Sequence, residues 1–194
     1  NALRGLEAAC EAGFKQVKVN AVLTADSTPD DWLSVADLAR ERQVDVRFIE
    51  WMPVAGEPPV QGRVDDVVRV LEARYGRLTP IGRDSNAGPA ELYRLAGFQG
   101  RIGLIAALSH GFCGTCNRLR LTSTGDLKLC LFYDTGIALK PLLRDGSSDA
   151  DIARAILDSL RYKPAAHQAV HMTREPGSDQ PQIRPSGGMY QTGG

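Results

Sequence analysis

The first part of the chain alternates apolar strands with amphipathic helices. Residues 16–23 and 45–51 form apolar runs of strand length, and residues 30–42 between them carry apolar side chains at helical spacing. A strand, a helix and a second strand of these lengths predict a right-handed βαβ crossover in which the two strands run parallel. The carboxyl ends of parallel strands share one edge of the sheet, where ligands of α/β proteins bind.

Helical periodicity recurs in four further segments. They cover residues 3–12, 64–75, 139–143 and 149–161. Gly13 supplies the left-handed residue that ends the first helix, and Cys10 lies on its apolar face, so we expect Cys10 to be a small buried hydrophobe. We expect two other helices to be capped by aspartates at their first positions, Asp30 with Asp31 in one and Asp149 in the other.

Later segments have the alternation of half-buried strands. They cover residues 90–95, 101–108, 118–123 and 127–132, and together they predict one antiparallel sheet. A domain boundary near Thr79 divides residues 1–78 from residues 79–162. In residues 163–194, proline, glycine, glutamine and serine dominate and no apolar period remains, which predicts an extended tail. The expected fold class is α/β, followed by a small α+β domain.

The composition limits the partners that the chain can attract. Lys and Arg number 23, and so do Asp and Glu, so no net field recruits nucleic acid or an anionic membrane. No apolar run has the length of a membrane span, and the first residues, Asn-Ala-Leu-Arg, do not resemble a signal peptide. Three of the four cysteines fall in one motif, which does not suggest a disulfide framework. We therefore expect a cytoplasmic protein that recognises ligands through local sites.

The cysteine motif predicts a site for a soft metal. Cys113, Cys116 and Cys130 have the spacing C-x2-C-x13-C, and a short spacing followed by a longer one is typical of thiolates that converge on one metal centre. A structural zinc site has four ligands, so three cysteines indicate either a fourth ligand elsewhere or a metal position kept open for chemistry. His110 is a candidate fourth ligand, although a loop histidine with an ordinary partner is the simpler interpretation.

Two arginines follow the first cysteine pair. Arg118 and Arg120 alternate with Leu119 and Leu121, the period of a half-buried strand, so both guanidinium groups are expected on the same face beside the metal. Residues 124–126, Thr-Gly-Asp, predict a tight turn that returns the chain as a hairpin and brings Cys130 toward the first pair. This arrangement predicts an anion site next to the cysteines.

Polar residues also interrupt the two strands of the predicted crossover. Lys18 and Asn20 lie in the first strand, and Arg47 lies in the second. Burying such groups without partners costs a few kcal/mol each, roughly, so they are expected to have partners or a function. A salt bridge such as Arg47 with Glu50, or placement of Lys18 at an exposed strand end, explains them as well as a ligand site does.

The region from Phe112 to Phe132 resembles a known family motif. Its pattern F-C-x-x-C-N-R-x-R-L-T-x-x-G-x-L-x-x-C-L-F is similar to the carboxy-terminal cluster motif of the molybdenum cofactor biosynthesis protein A family. That family contains the GTP 3',8-cyclases, which are radical S-adenosylmethionine enzymes. The resemblance implies the carboxy-terminal part of an incomplete (β/α) radical SAM barrel, followed by a small α+β domain whose antiparallel sheet carries an iron-sulfur cluster.

The resemblance also implies a reaction and its cofactors. A first [4Fe-4S] cluster cleaves S-adenosylmethionine, the resulting radical takes a hydrogen from the ribose of GTP, and C3' then bonds to C8 of guanine, giving (8S)-3',8-cyclo-7,8-dihydroguanosine 5'-triphosphate. In this interpretation Cys113, Cys116 and Cys130 hold a second [4Fe-4S] cluster whose open iron meets the guanine. Cofactors of this kind carry the chemistry, and the protein supplies orientation.

The resemblance also assigns substrate-binding, cofactor-binding and catalytic roles to individual residues. GTP binding falls on Lys18, Arg47, Arg118, Leu119 and Arg120, S-adenosylmethionine binding on Met52 and Asn20, and a catalytic role on the terminal Gly193 and Gly194. The two glycines resemble the terminus that this family inserts into its active site, where a side chain would not fit. Without the resemblance, a terminal Gly-Gly is simply the end of a disordered tail.

The chain departs from the family in one respect. The C-x3-C-x2-C motif that binds the first cluster does not occur in these 194 residues, so the chain resembles the second half of the enzyme. We expect it to be inactive alone, to require the amino-terminal half of the barrel as a partner, and to form a homodimer when complete. Two alternatives stay open: a structural zinc or iron-sulfur binding module, and the auxiliary-cluster domain of another radical SAM enzyme.

Overall fold

The computed structural model describes residues 2–52, 63–82, 88–110 and 112–166. In the first part of the chain the elements are α1 (Ala2–Glu11), β1 (Val17–Leu23), α2 (Pro29–Glu41), β2 (Val44–Glu50), α3 (Val64–Tyr75), β3 (Thr79–Gly82), β4 (Glu91–Arg94) and β5 (Arg101–Ile105). The later elements are β6 (Arg120–Leu121), β7 (Asp126–Lys128), β8 (Gly136–Ala138), α4 (Leu139–Leu142) and α5 (Asp149–Ser159). The mixture of helices and strands confirms the expected α/β class.

The βαβ crossover forms as predicted, although its helix begins differently. β1 and β2 pair in parallel, with Asn20 opposite Arg47. Thr28, rather than the predicted Asp30 and Asp31, is the N-cap of α2: its hydroxyl accepts a hydrogen bond from the Asp31 N–H, and the Asp31 carboxylate accepts one from the Thr28 N–H. These bonds from Thr28 also lower the pKa of Asp31. A threonine cap with an acidic residue three positions later is a capping box, a signal that the sequence carried.

α5 repeats this arrangement. Ser148, and not the predicted Asp149, is its N-cap, and the Asp151 carboxylate accepts a hydrogen bond from the Ser148 N–H in return. In both helices the N-cap thus precedes the aspartates that were expected to cap them: Thr28 lies two residues before Asp30, and Ser148 lies one residue before Asp149. The reason is that a cap residue has extended backbone dihedrals, whereas aspartate in the first turn of a helix is stabilised by the helix dipole.

The strands belong to two sheets, which corrects the prediction of one antiparallel sheet. The first sheet has the order β1-β2-β5-β4-β3, and the second has the order β6-β7-β8. β5 runs parallel to β2 and antiparallel to β4. Sequence alternation does not specify which strands pair, because the free side of a strand such as β2 accepts any neighbour whose apolar face matches the core.

The two faces of the first sheet differ in what covers them. One face packs with the helices in a core whose fully buried members include Val46, Phe48, Leu71 and Ile102. The other face carries Lys18, Asn20 and Arg47 on β1 and β2, because side chains alternate along a strand. It also carries a small apolar cluster on the side of β4 and β5, formed by Ala90, Leu92 and Ile105 with Ile49 and Phe112.

α1 is less covered than its periodicity predicted. Leu6 is the buried residue of this helix, while Leu3 is 59% exposed and Cys10 is exposed. The expectation that Cys10 is buried is therefore wrong.

By its contacts the chain divides into two compact units. The first contains Asn1–Trp51 and Val60–Phe112, and the second contains Met52–Pro59 and Cys113–Gly194. The division falls between Phe112 and Cys113, later than the predicted boundary at residue 79, because β4 and β5 complete the first sheet. Assignment of residues 79–162 to a single cluster and GTP-binding domain stays a prediction. Within the described ranges, no helix is long and apolar enough to cross a bilayer.

Candidate functional site

The cysteines of the motif lie on two neighbouring segments of the second unit. Cys113 begins a 3-10 turn, Cys113–Thr115, and the Cys116 N–H donates to the Cys113 carbonyl over 3.0 Å, so the first pair is held by one tight turn. Cys130 follows β7 by two residues. All three are free and half-buried. Thiols that are partly shielded and not paired in disulfides are suited to hold a metal centre.

A short hairpin connects the two segments. β6 and β7 pair antiparallel through Arg120 with Lys128 and Leu121 with Leu127, which confirms the predicted hairpin but with shorter strands. Gly125 has a φ of 90°, so it supplies the left-handed residue that the turn requires. The Thr122 hydroxyl accepts a hydrogen bond from the Asp126 N–H over 3.0 Å and fixes the turn.

The two arginines and two of the cysteines interact electrostatically. Burial and the neighbouring charge of Arg118 lower the pKa of Arg120, while Cys116 and Cys130 act in the opposite direction. Arg118 lies just outside β6, and both arginines are half-buried. Two guanidinium groups whose charges repel each other bind an anion favourably. Leu119 between them is 37% exposed.

These residues fit an iron-sulfur cluster. Three free thiols, which are ligands of iron-sulfur clusters, lie on segments that one hairpin joins, and two of them interact electrostatically with Arg120. In the part of the chain that the structure describes, no three His, Cys, Asp or Glu side chains lie close enough to hold a single metal ion. That finding does not bear on a four-iron cluster, because its cysteines contact different iron atoms and so stand farther apart.

His110, the candidate fourth ligand, has another partner. Its Nε2 lies 3.1 Å from Oδ1 of Asp65, at the start of α3, and both side chains are more than half exposed. An exposed pair of this kind contributes little to stability. The structure thus gives His110 the ordinary role of a loop histidine paired with a carboxylate.

The predicted polar residues of the crossover come together on one face of the first sheet. Asn20 lies directly opposite Arg47, and Lys18 lies opposite Asp45. Lys18 and Asn20 are exposed, whereas Arg47 is 8% exposed. Arg47 and Glu50 are three residues apart on β2, so their side chains start from opposite faces of the strand.

Sequence reasoning did not predict two buried carboxylates in β2, one in an ion pair and one that accepts backbone hydrogen bonds. Asp45, 4% exposed, receives two hydrogen bonds from Arg101 of β5, each 2.7 Å long. Glu50, 2% exposed, accepts hydrogen bonds from the backbone N–H groups of Val64, Leu108 and Ser109. Glu50 therefore ties the end of β2 to the start of α3 and to the segment that leads into the cysteine motif. The only sequence signal was a charged residue inside an apolar strand, which does not identify the partner.

For the remaining predicted residues the structure gives a position but few contacts, or no description. Met52 follows β2 by two residues and is half-buried. Gly193 and Gly194 lie outside the described residues. Lys163, expected to begin the tail, is instead bonded to the backbone on both sides of the cysteine hairpin.

The close contact between Gly103 and Arg47 supports a first prediction. A Cβ at Gly103 would lie 2.9 Å from Cγ of Arg47, and both residues are paired across β2 and β5. We expect Gly103→Ala to lower the free energy of unfolding by about 1 to 3 kcal/mol, because the Arg47 stem must move within a packed sheet. Urea unfolding of Gly103→Ala, Arg47→Ala and the double variant measures this effect.

The double variant is the control for this mechanism. If the collision with Arg47 causes the loss, removing the arginine side chain relieves it, and the double variant is more stable than the sum of the two single losses predicts. Additive losses would contradict the mechanism. They would mean that Ala90 and Leu92, each 3.4 Å from the added Cβ, limit the space instead.

Comparison with known proteins identifies the family. The family model described as Molybdenum Cofactor Synthesis C matches residues 44–169, which include β2, the cysteine hairpin and Lys163. This chain belongs to that family. The Molybdenum Cofactor Synthesis C match covers more than half of the chain and contains all three cysteines and both arginines described above.

Curated relatives agree with this assignment. The chain is 36% identical over 178 residues to a GTP 3',8-cyclase of Pelotomaculum thermopropionicum, covering 90% of this chain and 55% of the relative. It is 37% identical over 176 residues to a GTP 3',8-cyclase of Moorella thermoacetica, covering 89% and 54%. A mouse protein, molybdenum cofactor biosynthesis protein 1, is 34% identical over 167 residues, covering 85% and 26%. The chain thus spans about half the length of the bacterial relatives.

Proposed function

We propose that this chain is the carboxy-terminal, cluster-carrying and GTP-binding part of a GTP 3',8-cyclase. One observation carries the proposal: two free cysteines on separate segments, Cys116 and Cys130, act on the same half-buried arginine, Arg120, within the region that matches the family. A metal-binding thiol set and an anion-binding guanidinium are combined at one end of a single hairpin. This combination fits a cluster that contacts a nucleotide and is more than a structural metal site needs.

In this proposal the three cysteines hold a [4Fe-4S] cluster with one iron open to the guanine. Three protein ligands leave one coordination position for a substrate atom. When bound, that iron acts as a Lewis acid which orients and polarises the base. The task of the hairpin is to keep Cys113 and Cys116, on one segment, at a fixed separation from Cys130 on the other.

The charged residues orient the substrate. Arg118 and Arg120 supply charge-assisted hydrogen bonds to GTP, with Leu119 between them. On the first sheet, Lys18 and Arg47 are proposed to contact GTP, and Asn20 and Met52 to contact S-adenosylmethionine. The shared face of Lys18, Asn20 and Arg47 supports three of these four assignments, and that of Met52 rests on the resemblance. A catalytic role for Gly193 and Gly194 rests on the resemblance alone.

The proposed reaction is balanced as an isomerisation of GTP. S-adenosylmethionine, cleaved with one electron at a cluster outside this chain, supplies the group that takes the hydrogen from C3' and leaves as 5'-deoxyadenosine. The C3'–C8 bond then forms, and a second electron with one proton completes the product. An external one-electron reductant is therefore required twice in each turnover.

The rest of the enzyme is proposed to extend the first sheet. β1 lies at the edge of that sheet, and an edge strand presents backbone groups that pair with another strand. The proposed partner is the amino-terminal half of a (β/α) barrel, which carries the cluster that cleaves S-adenosylmethionine. A homodimer of the complete enzyme remains part of the proposal.

The function is tested with a longer protein, in which this chain is joined to the additional half that the bacterial relatives contain. After anaerobic reconstitution, it is incubated with GTP, S-adenosylmethionine and dithionite. We expect equal amounts of 5'-deoxyadenosine and an isomer of GTP, separated by chromatography, and neither product from the 194-residue chain alone. A reconstituted protein that binds no GTP would overturn the proposal. One tight zinc ion and no cluster would favour a structural module.

The arginines give a second prediction. We expect Arg118→Ala and Arg120→Ala each to weaken GTP binding by about one to two decades, since a hydrogen bond to a charged group contributes about 1.5 to 3 kcal/mol. Iron content should stay unchanged, because neither side chain is a ligand. Calorimetric titration with GTP and an iron assay measure both quantities.

Arg144→Ala is the matched control for charge, since Arg144 lies on the surface of the same unit. It should leave the GTP affinity unchanged. An equal loss in Arg144→Ala would mean that general electrostatic attraction, and not the two arginines of the hairpin, holds the triphosphate.

A further inference from the structure

Lys163 makes two contacts that connect distant parts of the second unit. Its Nζ donates to the carbonyl oxygen of Leu129 over 2.6 Å and to that of Arg118 over 2.9 Å. The root of this side chain is itself fixed, because the Lys163 N–H donates to the Leu160 carbonyl over 3.0 Å and ends the short 3-10 turn after α5. A half-buried ammonium thus reaches from the end of α5 to both segments of the cysteine hairpin.

One of the two carbonyls adjoins a cysteine, and the other lies two residues beyond one. Arg118 is two residues after Cys116, and the Leu129 carbonyl belongs to the peptide bond that joins Leu129 to Cys130. The ladder of β6 and β7 consists of the pairs Arg120–Lys128 and Leu121–Leu127, so both carbonyls lie beyond its end. On its other side the strand continues its pairing with β8, since the Leu129 N–H donates to the Thr135 carbonyl over 3.0 Å, next to the pair Lys128–Gly136.

An ammonium group suits this position chemically. Two carbonyl oxygens that point toward the same space repel each other, and neither is a donor, so they cannot bond directly. The lysine ammonium carries three donors around a compact charge and satisfies both oxygens at once. Loss of the donor would leave two partly buried carbonyl oxygens without that hydrogen bond. A buried acceptor with no partner costs more free energy than the loss of both partners together.

We propose that Lys163 is a positioning residue for the cluster site: it fixes the separation between the segment of Cys113 and Cys116 and the segment of Cys130. The inference rests on the proposed cluster. A metal site depends on groups that hold its ligands in place nearly as much as on the ligands themselves. The bond to the Arg118 carbonyl also fixes the backbone from which the Arg118 side chain extends.

The experiment compares three variants of the anaerobically reconstituted protein. Lys163→Met keeps the volume of the side chain and removes the donor, Lys163→Arg restores donors on a longer side chain, and Lys140→Met removes an exposed lysine of α4 in the same unit. Three quantities are measured: the rate of iron release to a chelator, the electron paramagnetic resonance spectrum of the reduced cluster, and the melting temperature of the iron-free chain.

We expect Lys163→Met to release iron about 10 to 100 times faster and to shift the spectrum of the cluster. Lys163→Arg should recover part of both, and Lys140→Met should match the unchanged protein. A purely structural lysine would lower the melting temperature and leave the spectrum of the retained cluster the same. That result would overturn the proposal, as would an equal effect of Lys140→Met.

The outcome separates this inference from the proposed function. If the unchanged protein takes up no iron-sulfur cluster, the proposed function fails, and the role of Lys163 toward the cluster fails with it. If the cluster forms and Lys163→Met leaves release and spectrum unchanged, only the role of Lys163 fails. If Lys163→Met does not fold, Lys163→Arg is the deciding variant. The planar guanidinium of arginine fits two converging carbonyls poorly, so Lys163→Arg should change the spectrum and the rate of iron release. If it changes neither, the positioning role is contradicted.

Discussion

Replacing the three motif cysteines with alanine is expected to abolish cluster binding. We expect each of the variants Cys113→Ala, Cys116→Ala and Cys130→Ala to bind the iron and sulfide of the cluster more than about 100-fold more weakly. Loss of a group that merely orients a ligand already lowers metal affinity by about 10 to 100-fold. In the longer protein, formation of the GTP isomer should fall below detection in the same variants. Iron and sulfide assays with the visible spectrum measure the first effect, and chromatography measures the second.

Cys10→Ala is the matched control. Cys10 is exposed on α1 in the other compact unit, so its removal should change neither iron content nor turnover. Full iron content in any one of the three motif variants would remove that cysteine from the ligand set. A zinc ion that persists in the unchanged protein after anaerobic reconstitution, with no visible cluster spectrum, would contradict the assignment of all three.

Gly136→Ala is expected to give a large loss of stability. A Cβ at this position of β8 would lie 2.1 Å from the Leu127 carbonyl oxygen and 3.2 Å from the Lys128 Cα, both in the backbone of β7. A backbone cannot move aside as a flexible side chain can, so β7 and β8 must separate. We expect the free energy of unfolding to fall by about 3 to 5 kcal/mol, a large part of the stability of a typical domain.

The measurement is urea unfolding of the iron-free chain, followed by reconstitution. Gly114→Ala is the control, because the same added Cβ meets no heavy atom within 4 Å in the same unit. It should change the free energy of unfolding by less than about 1 kcal/mol. Equal stability of Gly136→Ala and Gly114→Ala would mean that β8 does not approach β7 as closely as the structure shows.

The cysteine hairpin shows how far the sequence leads. Alternation around Arg120 and the Thr-Gly-Asp turn predicted two antiparallel strands, and both form, because alternation and turn chemistry are properties of neighbouring residues. The extent of the strands was overestimated. The pairing of β6 with β7 ends at Lys128, whereas the Leu129 N–H bonds to the Thr135 carbonyl in register with β8, a partner that the local pattern does not include.

Lys163 and β5 show what the sequence could not supply. Composition assigned Lys163 to a structureless tail, although its ammonium joins carbonyls that lie 34 and 45 residues earlier. The pattern around β5 predicted a strand but not that it would run parallel to β2 and bring Gly103 against Arg47. Contacts between residues far apart in sequence are decided by which surfaces remain uncovered when the chain is compact.

The sequence by itself determined the α/β class, the family and most of the elements, because periodicity, turn residues and the spacing of cysteines and arginines are properties of local order. It did not predict the short strands β3 and β8. Only the tertiary structure decided that β4 and β5 complete the first sheet, that Cys10 stays exposed, and that Asp45 and Glu50 have buried partners. Each of these depends on long-range pairing. A residue's alternation fixes the side of its strand on which it lies, whereas its partner is fixed by the chain that comes to cover that side.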